Sequence, residues 1–161
     1  MWEITEEELL RLKCQQLFVP LIYSEVVARI IDRWPDNVEK KLREFGRRIG
    51  KGILSMWIPK NTDSVKSIVQ ETYKFLLKQK APVEMKKDGR TLILRDKKCI
   101  LCWEVTNANF HYCTPYGSLL ETFVNKCRET NPKLPKIWVE TTKSRAKGDS
   151  YCEHVIHILE E

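Results

Sequence analysis

No apolar run in the chain approaches the ~18 residues that a membrane span requires, so no integral membrane segment is expected. The N-terminal stretch MWEITEEELLRLK is acidic where a leader peptide is basic, and it has neither a continuous apolar centre nor a small-residue cleavage site. A cytoplasmic location is the expectation. Glycine and proline are scarce, at six and seven residues, which excludes collagen-like and low-complexity classes. The glycines of FGRRIGKG lie inside a helical pattern and follow no strand, so dinucleotide-binding and P-loop readings both lack their structural context. The three histidines form a Ser-His-Asp arrangement only by arbitrary choice, and no catalytic carboxylate pair can be picked out. No catalytic residue is assigned.

The chain has 161 residues, 42% hydrophobic and 31% charged, and a net charge of +6. That is the composition of a globular protein long enough for one domain. The positive excess is spread over small clusters, RDKK, KKDGR and FGRRIGKG, each set among apolar residues or beside a turn. No nucleic-acid partner is therefore expected.

Thr5 and Glu8 stand at capping-box spacing ahead of a helical stretch, which Pro20 interrupts or restarts. After the turn WPDN, Asp36 or Asn37 caps the cleanest amphipathic helix. Val38, Leu42, Phe45, Ile49, Ile53 and Met56 follow at four- and three-residue steps and make one apolar stripe. Gly46 and Gly50 lie inside it, each costing about 1 kcal/mol relative to alanine, and so point to close approach by another backbone or a ligand. Asp63 caps a third helix carrying Val65, Ile68, Val69, Thr72 and Leu76.

From Pro82 the period becomes two. VEMKKDGRTLILR reads as a hairpin turning at Asp88-Gly89, and KKCILCWEVT as a further strand. NANFHYCTP reads as a loop, the segment from Pro115 as a helix, and KIWVETTK with SYCEHVIHIL as a closing hairpin. Helices first and then an antiparallel sheet with one inserted helix predict an α+β fold. It forms a single domain over 1–161, mainly helical over 1–80, with the sheet over 81–161 and the inserted helix over 115–129.

Six cysteines without an export signal read as reduced thiols or metal ligands rather than a disulfide framework. Cys99 and Cys102 form one C-x-x-C, and Cys113, Cys127 and Cys152 follow, with His111 and His154 close to two of them. Zinc takes four such ligands from separate short elements. Against this, a C-x-x-C within a strand aims its side chains at opposite faces unless the backbone turns there. Cysteine also packs readily as a small hydrophobe, the expectation for Cys14 and Cys127 on their helices. His157, on the other face of its strand, reads as surface or hydrogen-bonded.

The helix bearing LREFGRRIGKGIL, the segment YCTPYGSLLETFV and the terminal WVETTKSRAKGDSYCEHVIHI together resemble the 4-vinyl reductase-like, hydrocarbon-binding domain family. They also resemble the small subunits of the TRAPP vesicle-tethering complex, which share its fold. The resemblance implies N-terminal helices packed on a twisted antiparallel sheet with one inserted helix, and dimerisation through those N-terminal helices. Related sensor domains hold zinc near a ligand pocket. Carried over, their ligands fall on Cys113, Glu140 and Cys152, while Lys143 or Ser144 stands where a further thiol is needed, leaving Cys102, Cys127 or His154 to replace it. His154 shares a strand face with Cys152. No cysteine lies in SMWIPKNTD, where some tethering subunits are acylated.

The expected function is a non-catalytic, homodimeric binding domain for a hydrophobic or aromatic small molecule or lipid, with zinc near the pocket. Gly46, Gly50, Trp57, Trp103, Phe110 and Tyr116 are its candidate lining. Cys113, Cys152, Glu140 and His154 are the candidate metal ligands. Two alternatives stand beside it: a scaffold or tethering subunit working through protein contacts, and a reductase of tetrapyrrole vinyl groups. The reductase reading meets no nicotinamide or flavin motif in the sequence.

Overall fold

The computed structural model describes residues 5–77, 82–86 and 88–159, with side chains 7, 8 and 10–19 left out. Glu8 of the expected capping box and Cys14 thus lie outside the described side chains. So do the last expected residues of the third helix, 78 and 79. Four helices are described: α1 Glu6–Arg33, α2 Val38–Leu54, α3 Val65–Leu77 and α4 Thr114–Thr130. Four strands follow the first three helices: β1 Val83–Met85, β2 Thr91–Asp96, β3 Lys136–Lys143 and β4 Cys152–Leu159. They form one antiparallel sheet in the order β1-β2-β4-β3, which makes the fold α+β.

Pro20 sits within α1 rather than ending it. The described inner face of α1, Tyr23 and Val27, meets Val38 and Leu42 of α2. The apolar stripe expected of α2 faces the core as far as Ile53: Val38 and Leu42 are buried, and Phe45, Ile49 and Ile53 pack half-buried against the clusters. The buried residues of the helix are Val38, Leu42, Gly46 and Gly50, one helical turn apart, while Met56 lies beyond the helix and is 82% exposed. The first half of this face is apolar and packs with α1, and at Gly46 and Gly50 small size is what lets α4 lie directly against it. A Cβ on Gly46 would stand 1.9 Å from the Pro115 carbonyl oxygen, and one on Gly50 would stand 3.1 Å from Thr122 Cβ. Of the two occupants the glycines admit, the structure supplies the second backbone.

α4 is the centre of the molecule, buried at every position from Thr114 to Glu121. One side faces α2; the other faces the sheet, where Val139 packs on Gly117. α3 is capped by Ser64, whose Oγ accepts from the Ser67 amide at 3.1 Å, instead of the expected Asp63. It buries Val65, Ile68, Val69, Thr72 and Tyr73, the spacing of one helical face. The Asp88-Gly89 hairpin forms as expected: Asp88 accepts from the Arg90 amide at 2.9 Å, and Gly89 takes a φ of 70°, which suits a residue without a Cβ.

The stretch KKCILCWEVT is not a strand. Asp96 Oδ1 accepts from the Lys98 amide at 2.7 Å and turns the chain out of β2, an Asx turn. A single 3-10 turn, Ile100–Cys102, follows. The resulting connection to α4 contains Glu104 and Asn107 at φ 57° and 56°, in the left-handed region that ends extended structure.

A candidate metal centre of four cysteines

The turn after β2 decides the chemistry. With the Cys102 amide bonded to the Cys99 carbonyl at 3.3 Å, the two thiols of the C-x-x-C project to one side instead of opposite faces. Cys113 stands at the N-cap of α4, held by the Thr114 amide on the His111 carbonyl and the Tyr116 amide on Cys113's own, each at 3.0 Å. Cys152 opens β4, and its Sγ accepts from the Arg145 amide at 3.4 Å. The four sulfurs lie within 4.8 Å of one another, and all four residues are buried.

These dimensions suit a tetrahedral ion. Zinc–sulfur bonds of about 2.3 Å place sulfurs about 3.8 Å apart across a tetrahedron, and Cys102 Sγ already lies 3.5 Å from Cys152 Sγ. The electrostatics agree. Hydrogen bonds from Cys113, Cys152 and Cys99, with a further one from Ser144, pull the Cys102 thiol far below its usual range. Cys99 and Cys113 are pushed up by the same neighbours, Cys102 foremost. Four buried thiols crowded within reach of one another can hold a metal ion. Four protein ligands would leave no open position, which is the form of a structural rather than a catalytic site. The Arg145 amide and the Ser144 hydroxyl, 3.3 Å from Cys102 Sγ, are the surrounding donors that orient such thiolates.

Of the ligands expected from sequence, the structure brings Cys113 and Cys152 into the cluster and leaves Glu140 and His154 out of it. Glu140 is exposed on β3, 3.7 Å from His157 Nε2. His154 is buried on the same strand as Cys152, but its Nδ1 lies 3.0 Å from Thr141 Oγ1. Its ring packs 5.4 Å from that of Tyr116. Burial pushes its pKa down to about 4, so it is a neutral core histidine. Cys127 is buried among apolar residues of the main core, as expected. Cys99 and Cys102 complete the set in place of Glu140 and the absent thiol at 143 or 144. Cys102 lies against Ser144, the position where the thiol is missing. The signal for this was Asp96, two residues before Lys98, a turn cue just ahead of the apolar stretch that begins at Cys99.

The candidate lining residues have separate surroundings. Gly46 and Gly50 meet α4. Trp57 stacks on Phe75 with ring centroids 3.9 Å apart and touches Phe123. Trp103 is exposed beside Pro20 and Leu21. Tyr116 is buried in the main core. Phe110 packs beneath α1 and borders a cleft of about 300 Å³. Glu140, Trp138, Arg43 and His111 also line that cleft. His111 Nδ1 is buried there without a hydrogen-bond partner, and desolvation, with Lys147 nearby, lowers its pKa.

Among the described residues no helix is long and apolar enough to cross a membrane. No family model matches the chain, and no curated protein matches it in sequence. Solved structures do resemble it. A trafficking protein particle complex subunit 3 from Naegleria fowleri, covalently bound to palmitic acid, matches with a TM-score of 0.74 at 15% identity, over 92% of this chain and 97% of that one. An H-NOX protein from S. oneidensis in the Fe(II)NO ligation state matches with a TM-score of 0.55 at 14% identity, over 99% of this chain and 78% of that one. The fold is that of a TRAPP small subunit.

Proposed function

We propose that the chain is a non-catalytic assembly domain that pairs through α1 and is held in shape by a zinc ion on Cys99, Cys102, Cys113 and Cys152. The observation that carries the assembly role is the outer face of α1. Leu21 is 55% exposed and Ile22 46%, and with Val26 they line a shallow apolar groove flanked by Glu25 and Arg29. A second copy laid on this groove would cover Leu21, Ile22 and Val26 and bring Glu25 and Arg29, of opposite charge, to the rim of the contact. Likeness in fold to a subunit of a trafficking complex supports the reading. The all-thiolate set favours zinc over harder cations.

Sedimentation equilibrium tests the pairing. The protein is expected to be dimeric at micromolar concentration, and the double variant Leu21→Glu/Ile22→Glu to dimerise at least 100-fold more weakly. A compact monomer at tens of micromolar overturns this reading. Elemental analysis tests the metal. One zinc per chain is expected, lost in Cys113→Ser and Cys152→Ser and retained in Cys127→Ser, which lies outside the cluster. Iron in place of zinc, or equal metal in all four proteins, refutes the zinc assignment.

A second reading, membership of the hydrocarbon-binding family with a hydrophobic or aromatic ligand, draws on the cleft beside Phe110 and Trp138 with its unpartnered His111 Nδ1. The palmitic acid on the N. fowleri protein lends it analogy. Native mass spectrometry with fatty acids and phenols checks it: an unshifted mass with both classes counts against it.

A further inference from the structure

The thiol centre has a second neighbour besides the sheet. Residues 103–112 run between Cys102 and Cys113 without a helix or strand, and α1 rests on this segment. The Tyr23 hydroxyl of α1 donates to the Tyr112 carbonyl at 2.5 Å. Leu101, Phe110 and Tyr112 pack against the α1–α2 cluster of Tyr23, Val27, Val38 and Leu42. Two of these side chains are immediate neighbours of cysteines in the cluster: Leu101 precedes Cys102, and Tyr112 precedes Cys113. Leu101 touches the main core, the cysteine cluster and the α1–α2 cluster alike, and Tyr112 touches the latter two. Leu101 and Tyr112, two of the side chains that join the cysteine cluster to the α1–α2 cluster, are thus each tethered next to a ligand position.

We infer that occupancy of the four-thiol centre controls the docking of α1 and, through it, the availability of the α1 pairing surface. The inference rests on the zinc centre and α1 interface proposed above and adds the link between them. The physical argument concerns what fixes the segment. Between its flanking cysteines it has the Ala108 amide on the Ala146 carbonyl at 2.8 Å as a backbone tie to the rest of the fold. An irregular segment so tied keeps one conformation because its ends are fixed, and its ends are cysteines of the cluster. When four thiolates bind one ion, both ends are set to bond-length precision. When the ion leaves, crowded sulfurs relax apart and take Leu101 and Tyr112 with them. α1 then keeps its contacts with α2, but loses the other half of its inner face. A helix carrying Pro20 in its interior lacks one backbone hydrogen bond and has little stability of its own in water, so α1 loosens while the sheet stays folded.

Hydrogen exchange read by mass spectrometry on the full chain, with zinc bound and after chelation, tests the link. Chelation is expected to reduce protection in residues 20–33 at least tenfold while β2 and β4 amides remain protected, and to weaken dimerisation at least tenfold. Leu101→Ala is expected to keep one zinc per chain yet show the loosened α1 with zinc present. In the monomeric Leu21→Glu/Ile22→Glu variant, zinc is still expected to protect α1, which separates docking from pairing. Unchanged α1 protection after zinc removal overturns the inference while leaving the zinc centre standing. A protein that neither contains nor takes up zinc refutes the centre and the inference together. If chelation unfolds the whole chain, Leu101→Ala decides: α1 as protected as in the wild type with zinc bound overturns the link.

Discussion

Gly46 has no room for a side chain. An added Cβ would meet Pro115 carbonyl oxygen at 1.9 Å and Ser118 Oγ at 2.2 Å, and neither can withdraw cheaply. Pro115 lies in the first turn of α4, and Ser118 Oγ donates to the Arg43 and Pro115 carbonyls at 2.8 and 3.0 Å. Gly52, two residues beyond Gly50 in the same helix, meets nothing within 4 Å. Gly46→Ala is therefore expected to cost about 3 kcal/mol or more by forcing α2 off α4. Gly52→Ala is expected to gain about 1 kcal/mol from helix propensity. Urea unfolding of both variants checks the pair. Similar effects at the two sites would mean that the glycines are incidental to the packing. The same positions show what one residue's sequence context discloses. The cost of glycine in a helix marked a close approach, but the identity of the approaching group depended on where α4 lay.

Between elements, Arg43 and Glu121 form a clamp on the outer strand of the sheet. Glu121 Oε1 accepts from Arg43 Nη2 at 2.5 Å and from the Val139 amide at 2.8 Å, while Arg43 Nη1 donates to the Val139 carbonyl at 2.9 Å. The pair joins α2, α4 and β3 and satisfies the edge of β3 at a point where another strand would otherwise add. Glu121→Ala leaves a half-buried guanidinium and a buried amide without their partner, and an expected loss of about 3–5 kcal/mol follows. The double variant Arg43→Met/Glu121→Leu should recover part of it. A denaturant series in which the double variant is no better than Glu121→Ala would show that the clamp's worth is not electrostatic. The clamp was not legible in sequence: Arg43, Glu121 and Val139 each fall in one of the three stretches quoted for the resemblance, but they are far apart in the chain and no local pattern pairs them. Local patterns were legible: the period of 3.6 in α3, the period of two in β3, the Asp88-Gly89 turn and the inserted helix. Where two cues competed, the longer pattern misled. The stretch KKCILCWEVT read as a strand, but Asp96 turns the chain before it begins. That turn converts a C-x-x-C aimed at two faces into two ligands of one site. Cys113 and Cys152 lie at a helix start and in a closing hairpin, both with clear local patterns, whereas Cys99 and Cys102 lie on the irregular connection.

For the whole molecule, an ion held by the four thiols would act as a staple between parts distant in the chain. The cysteines come from the exit of β2, the N-cap of α4 and the start of β4, and they lie next to side chains shared by all three hydrophobic clusters. An ion that binds this arrangement and not the unfolded chain stabilises the fold by mass action. At free zinc about 1,000-fold above its dissociation constant, the gain is roughly 4 kcal/mol. For a domain of this size each kcal/mol moves the thermal midpoint by roughly 2–4 °C. Zinc-loaded protein should thus melt on the order of 8–16 °C above chelated protein, measured at one protein concentration so that pairing contributes equally. Magnesium should produce no such shift, since it selects oxygen ligands. Cys127→Ser should retain the full zinc response, and Cys99→Ser should lose most of it. Superimposable melting curves for loaded and chelated protein would mean that four buried thiols within reach of one ion serve as packing alone. In that case the first and last cysteines of the cluster would be replaceable together by alanine and valine at small cost, a substitution that a metal staple does not tolerate.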